Sequence, residues 1–364
     1  MTRETLEQYS LVSLYSALAV LTLAMFGYVL YLARAAASQP EPAGAAVPEL
    51  ADVAVPVSAG ADVGARLATE PVGRGVRAGW AGTSPDRPDG VGTDAARTGS
   101  VPMDPVGGSA RGARRAAGPA RMLTWLATLL VGASIILRGL SVHRPPLGNL
   151  HEFIAAASFV VLLGFSVWTL KRNVDWLGAF VTAPVLLMLG SATTFWYTEA
   201  AQLLPSLRSS WLVIHVSVAT ISVGVFTLAA TVSLAYLLVD RSDRLPTAGT
   251  SRAARLRRVL PPAAELERLG YGLHVIAFPL WTFTLIAGAI WARQAWASYW
   301  NWDPKEVWTF VIWVVYAAYL HARATTGISR QKATYLALAG FACIILNYSI
   351  VNMYFVGQHS YSGV

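Results

Sequence analysis

Between Trp291 and Trp308 the chain reads WARQAWASYWNWDPKEVW, which gathers five of its thirteen tryptophans into eighteen residues, with Arg293, Asp303, Lys305 and Glu306 among them. Outside this stretch, His215 lies in WLVIHVSV and His359 in VGQHSYSGV. These residue types share a chemistry. Indoles cover a flat apolar ring through dispersion and offset stacking. Neutral imidazoles ligate metals, and Arg, Lys or indole N–H groups bind carboxylates. A flat hydrophobic macrocycle with a central iron and carboxylates on one edge, namely haem, asks for all three. In that reading His215 and His359 grip the iron from opposite faces. Trp291, Trp296, Trp300 and Trp302 shelter one side or edge of the ring, and Arg293 or Lys305 meets the propionates.

Plainer readings exist for the same residues. Tryptophans at a membrane surface commonly form an interfacial belt. The sequence DPKE also writes a helix start, with Asp303 as N-cap, Pro304 at the first helical position and Glu306 closing a capping box. Asp303 is then a cap that also organises the site, and Glu306 is a cap rather than a catalyst. Asn347 and Asn352, inside the last apolar run, are expected to make interhelical hydrogen bonds. Cys343, the one cysteine, reads as apolar filler.

The elements that would bring these residues together are membrane spans. The chain has 364 residues, 55% hydrophobic and 13% charged, with a mean hydropathy of +0.48. A bilayer core asks for about 20 apolar residues in a helix. Eight runs meet that length or nearly so, at about 10–33, 121–140, 153–170, 176–195, 211–239, 272–292, 307–324 and 333–357. They are continuously apolar and too long for barrel strands, so the fold class is an all-α polytopic membrane bundle. The first run reads as an uncleaved span.

Charge orients the bundle. With the N-terminus outside, the inward segments hold 22 of the 28 Lys and Arg residues; outside remain Arg3, Arg138, Arg144, Arg208, Arg293 and Lys305. The positive-inside rule therefore puts both termini on the extracytoplasmic side. The net charge of +8 is accounted for by topology and anionic lipid, without nucleic acid. This orientation sets His143, His151, His215, His359 and the indole stretch on one side of the membrane, and His274 and His321 in the other half. An ionisable group at the depth of His321 is a functional candidate.

Three regions follow: an N-terminal span over 1–34, a loop over 35–120 and a membrane domain over 121–364. The loop is rich in Ala, Gly, Pro and Asp and nearly free of aromatics, so it is expected to be a disordered cytoplasmic segment. A short amphipathic helix is expected around PAAELERLGYG.

The stretch WASYWNWDPKEVW resembles the WWD signature of haem-handling membrane proteins. The chain around it is similar to the cytochrome c biogenesis family called CcsA, ResC or, in some bacteria, CcsB. PPLGNLHEF, WLVIHVSV, GAIWARQAWASYWNWDPKEVWTFVIWVVYAAYLHAR and NYSIVNMYFVGQHSYSGV carry the resemblance. It covers about 120–364 and not 35–120. The resemblance implies a multi-pass protein of the bacterial plasma membrane. With a ResB-type membrane partner it would bring haem b to the outer face and attach it to the CxxCH segment of apocytochrome c. It would then be one subunit of a cytochrome c synthetase, served by a thiol-reducing protein; a haem exporter without an attachment role is the alternative. The resemblance also implies that His215 and His359 are the outer iron ligands. His321 would belong to an inner haem position whose opposite ligand comes from the partner. His151 stands where the family usually has an aromatic, and neither it, His143 nor His274 receives a role.

Overall fold

The computed structural model describes residues 1–37, 106–203, 208–245, 256–257, 259–325 and 327–359, with side chains of the second segment described from Ala117 onward. Its elements are helical: α1 (Arg3–Ala37), α2 (Val106–Val142), α3 (Leu150–Lys171), α4 (Gly178–Thr194), α5 (Ser210–Asp243), α6 (Ala263–Trp296), α7 (Pro304–Ala324) and α8 (Arg330–Leu346). A 3₁₀ turn, Asp175–Leu177, leads into α4, and a π-helical turn, Asn347–Val351, extends α8 to a short α9 (Asn352–Tyr354). Eight of these helical segments are long and apolar enough to cross a membrane. Leu23, Phe26, Leu129, Ile136 and Leu187 are exposed on the outside of the bundle, a surface that suits lipid and would be costly in water.

The helices outrun the apolar runs. The amphipathic piece expected around PAAELERLGYG is the first part of α6, continuous with the span that follows. Of the loop expected over 35–120, residues 38–105 lie outside the described residues, and its two edges are helical: α1 continues to Ala37 and α2 begins at Val106. Alanine and arginine near those edges favour helix even where hydropathy has already fallen.

Two buried clusters hold the bundle. One packs Leu14, Leu21 and Tyr28 of α1 against Phe165 of α3, Trp176, Leu177 and Leu189. The other joins α5, α6 and α7 through Phe226, Trp281, Ile312 and Tyr316, with Phe226 and Tyr316 stacked at 4.0 Å.

Polar contacts close the two ends. At one end Glu152 accepts hydrogen bonds from Arg138 Nε (2.9 Å), Arg144 Nη1 (2.8 Å) and Gly148 N (2.7 Å). Arg138 and Arg144 also donate to the carbonyls of Thr198 and Ala201, and Arg3 to that of Ala200. The start of α1, the α2–α3 turn and the α4–α5 connection are thereby tied together. At the other end Arg121 pairs with Asp175 (2.7 Å), and Arg323 donates to Glu267 through Nε and Nη2 (2.6 and 3.1 Å).

Candidate functional site

Asp303 organises the first end of the bundle. α6 stops where Ala297 turns left-handed (φ 60°), and the loop that follows brings the chain to Asp303. Its carboxylate caps α7 by accepting from Lys305 N (2.9 Å), and Glu306 completes the capping box by accepting from Asp303 N (3.2 Å) and Asn301 N (2.8 Å). Asp303 Oδ1 also accepts from His359 Nδ1 (3.0 Å), while Oδ2 accepts from Gln358 N. One buried carboxylate thus starts a helix and anchors the tail that carries His359. Burial pushes this carboxyl's pKa up. The hydrogen bonds from His359 and from the Lys305 and Gln358 amides outweigh that and hold it below the usual carboxylate range.

His215 is held in a parallel way. Its Nδ1 lies 2.9 Å from the carbonyl oxygen of Thr284 on α6. A carbonyl and a carboxylate can only accept, so both imidazoles carry their proton on Nδ1, and Nε2 is the nitrogen with the lone pair. Anchoring the far nitrogen is how proteins orient ligating histidines. Gly288 makes room for the His215 ring: a Cβ there would meet His215 Cε1 at 2.8 Å and Nδ1 at 3.0 Å. Gly357 is required in the same sense, since a Cβ there would collide with the Asp303 carboxylate.

Both histidines line one cleft. It encloses about 980 Å³ including its mouth, and its walls include Phe153, Trp281, Trp296, Tyr299, Trp300 and Tyr348. Small-molecule and cofactor sites are concave and mostly apolar with a few fixed polar groups, and this cleft has such a lining. His215, His359 and the Lys305 ammonium supply such groups here.

The structure redistributes the residues expected to act. His215, His359, Trp296 and Trp300 meet in the cleft. Trp291 does not cover it. This indole is buried in the wall behind, its ring centroid 5.9 Å from that of His215 and 6.0 Å from that of His359, and so backs both imidazoles. Trp302 is 77% exposed, in a left-handed backbone conformation (φ 58°), edge-on to Trp300 at 5.9 Å. It does not line the cleft, because the turn into Asp303 points it outward. Arg293 likewise turns away, donating to Ala297 O and lying 6.0 Å over the Tyr299 ring. Asp303 stands beside the cleft as cap and anchor rather than in its lining.

His321 is exposed on the last turn of α7, far along the helix from the Asp303 end. His274 is fully buried, with Nδ1 2.7 Å from Gly270 O and its ring 4.9 Å from that of Tyr319. The interhelical bonds expected of Asn347 and Asn352 are not made: Asn347 Oδ1 and both polar side-chain atoms of Asn352 have no hydrogen-bond partner among the described residues. Sequence reasoning missed Gly288, Gly357, Asn347 as a cleft residue, and the Glu152 cluster. The Glu152 cluster had a signal, a carboxylate within fourteen residues of two arginines in an apolar setting, and Asn347 had one only as a polar group inside an apolar run, which does not place it in the cleft.

Residues 147–359 match the family model described as cytochrome C assembly protein. The chain is 34% identical over 263 residues to a cytochrome c biogenesis protein CcsA of Prochlorococcus marinus strain MIT 9303, covering 66% of this chain and 83% of that one. It is 34% identical over 269 residues to the protein of the same name from Synechococcus sp. strain CC9605, covering 67% and 87%. A third such relative, from Guillardia theta, is 34% identical over 230 residues, covering 59% and 76%. The match spans the α3 start, the indole stretch and the His359 tail together, and this chain belongs to the cytochrome c assembly protein family.

Proposed function

We propose that this chain acts in cytochrome c maturation by holding haem b in the cleft at the Asp303 end and presenting it to apocytochrome c. The observation that carries the reading is the pair of imidazoles lining one aromatic cleft, each with Nδ1 bound to an acceptor-only oxygen. His215 and His359 would ligate the iron through Nε2. Trp296, Trp300 and Trp281 offer apolar surface to the ring, and Trp291 stiffens both ligands from behind. The excess of Lys and Arg in the opposite segments supports an extracytoplasmic position for this end, in the bacterial plasma membrane.

Haem supplies the vinyl groups, and the CxxCH segment of the apocytochrome supplies the thiols. Each S–H adds across a vinyl C=C, forming a C–S bond with no leaving group. The chain's share is placement. Holding vinyl and thiol in contact makes the step effectively unimolecular, worth up to about 7–11 kcal/mol for ideal placement. The substrate histidine must displace one axial ligand, and the two differ in mounting. His215 sits within the long α5, whereas His359 sits on the non-helical tail beyond α9, tethered through Asp303. His359 is therefore the ligand that yields. His321, exposed at the other end, suits a second haem position completed by a ResB-type partner, which would also share the attachment step. A thiol-reducing protein would keep the CxxCH cysteines ready.

Cells that depend on this chain for cytochrome c test the reading. Replacing His215 or His359 with Ala should abolish covalent c-type haem while membrane b-type haemoproteins persist. Equal loss of covalent and non-covalent haemoproteins outside the membrane would instead favour a haem exporter. Normal holocytochrome c in the double variant would overturn the ligand assignment.

A further inference from the structure

The geometry points to a carboxylate-binding corner in the cleft, formed by Lys305 and Asn347, that receives a propionate of the haem and fixes the ring's rotation in its own plane. This rests on the haem reading above and extends it to an orientation-determining subsite. Both residues line the cleft. The Lys305 ammonium lies 5.3 Å from the Tyr348 ring centroid, and no carboxylate comes within 4.0 Å of it among the described residues. The two nearby acids are committed elsewhere. Asp303 accepts from Lys305 N, Gln358 N and His359, and Glu306 accepts from Asn301 N and Asp303 N.

A half-buried cation with no carboxylate in contact is costly, and its position adds to the cost. Lys305 is the second residue of α7, where the helix dipole favours negative charge and disfavours an ammonium. Asn347 supplies a second polar group beside it. It is 2% exposed and lines the same cleft. It also opens the π-helical turn Asn347–Val351. Such turns add a residue to the helical repeat and recur at functional sites; here the turn carries Asn347 and Tyr348 at the cleft wall.

A ligand carboxylate supplies the anion that Lys305 lacks and can accept from both the Lys305 ammonium and the Asn347 amide nitrogen, Nδ2. Arg293, the other cation of the indole stretch, is turned away over Tyr299. The haem carboxylates share one edge of the ring. Pinning that edge at Lys305 leaves the vinyl-bearing side directed away from this corner.

The test compares ferric haem with its dimethyl ester, titrated into the purified full chain in detergent and followed by the Soret band. The wild type should bind the diacid about tenfold more tightly than the diester, the scale of one charge-assisted hydrogen bond. Lys305→Met should erase that preference while keeping the bis-imidazole spectrum, and Lys305→Arg should retain it. Asn347→Leu should shrink it, which keeps the proposal testable if Lys305→Met misfolds. An unchanged preference in both Lys305→Met and Asn347→Leu overturns the subsite, as does a wild type that binds the two forms equally while showing the bis-imidazole spectrum. Failure of the wild type to bind either form overturns the haem reading itself.

Discussion

Replacing Asp303 by Asn separates the two roles of this residue. Asn is as good an N-cap as Asp, so a single side-chain oxygen can still accept from Lys305 N and the start of α7 survives. The losses fall on the tail. The amide nitrogen would oppose Gln358 N–H, which now donates to Oδ2, and the charge that strengthens the bond from His359 Nδ1 (3.0 Å) is gone. A hydrogen bond to a charged acceptor is worth about 1.5–3 kcal/mol, and loss of the group that orients a ligating histidine costs about 10–100-fold in affinity. Asp303→Asn should therefore weaken haem binding about 10–100-fold and lower the melting temperature, because the bonds from Gln358 N and His359 are lost or weakened while the cap on α7 stays. Asp303→Ala should lose the cap as well, about 1 kcal/mol of further stability. Haem titration and thermal melts of the three proteins in one detergent measure both quantities. Unchanged haem affinity in Asp303→Asn would refute the claim that this carboxylate orients His359.

Three other outcomes follow from the same geometry. Gly288→Ala should improve α6 as a helix by about 1 kcal/mol of propensity, yet displace the His215 ring; haem titration should show loss of the six-coordinate spectrum without loss of thermal stability. Glu152→Ala should leave the Arg138 and Arg144 guanidinium groups without their carboxylate. Because Arg138 and Glu152 are buried, the cost should be about 3–5 kcal/mol, read as a large drop in melting temperature. The pH dependence has a definite sign. The Asp303 carboxyl is depressed in the folded chain, so its stabilising contribution is complete above the unfolded value of about 4 and is lost as pH falls through the lower folded value. The stability difference between wild type and Asp303→Ala, measured by melts from pH 7 to pH 3, should stay constant down to about pH 4 and shrink below it.

The bundle was legible because hydropathy reads through to spans: each of the eight apolar runs lies almost wholly within one of the eight helical spans. Helix ends were less so. Hydropathy falls where the chain leaves the apolar layer, but backbone hydrogen bonding carries α6 back to Ala263 and α2 back to Val106. Asp303 as a cap was written in DPKE, since capping is local chemistry. The direction of each indole was not. A run of tryptophans says nothing about which faces inward, and two left-handed residues, Ala297 and Trp302, decide it. Trp291 and Trp302 look alike in the sequence, yet one is buried wall and the other is exposed. Gly288 was silent, because its meaning lies in a ring on α5, more than seventy positions earlier in the chain. Asn347 carried a membrane-depth signal, and its cleft role became visible only with the π-helical turn that follows from it.

The most direct measurement is the absorption and electron paramagnetic resonance of haem bound to the purified chain, for the wild type, His215→Ala, His359→Ala and the double variant. The wild type should hold six-coordinate low-spin iron. Each single variant should give five-coordinate high-spin iron that added imidazole returns to low spin, and the double variant should lose specific binding. Low-spin iron with wild-type signals in either single variant would mean that the nitrogen ligands lie elsewhere.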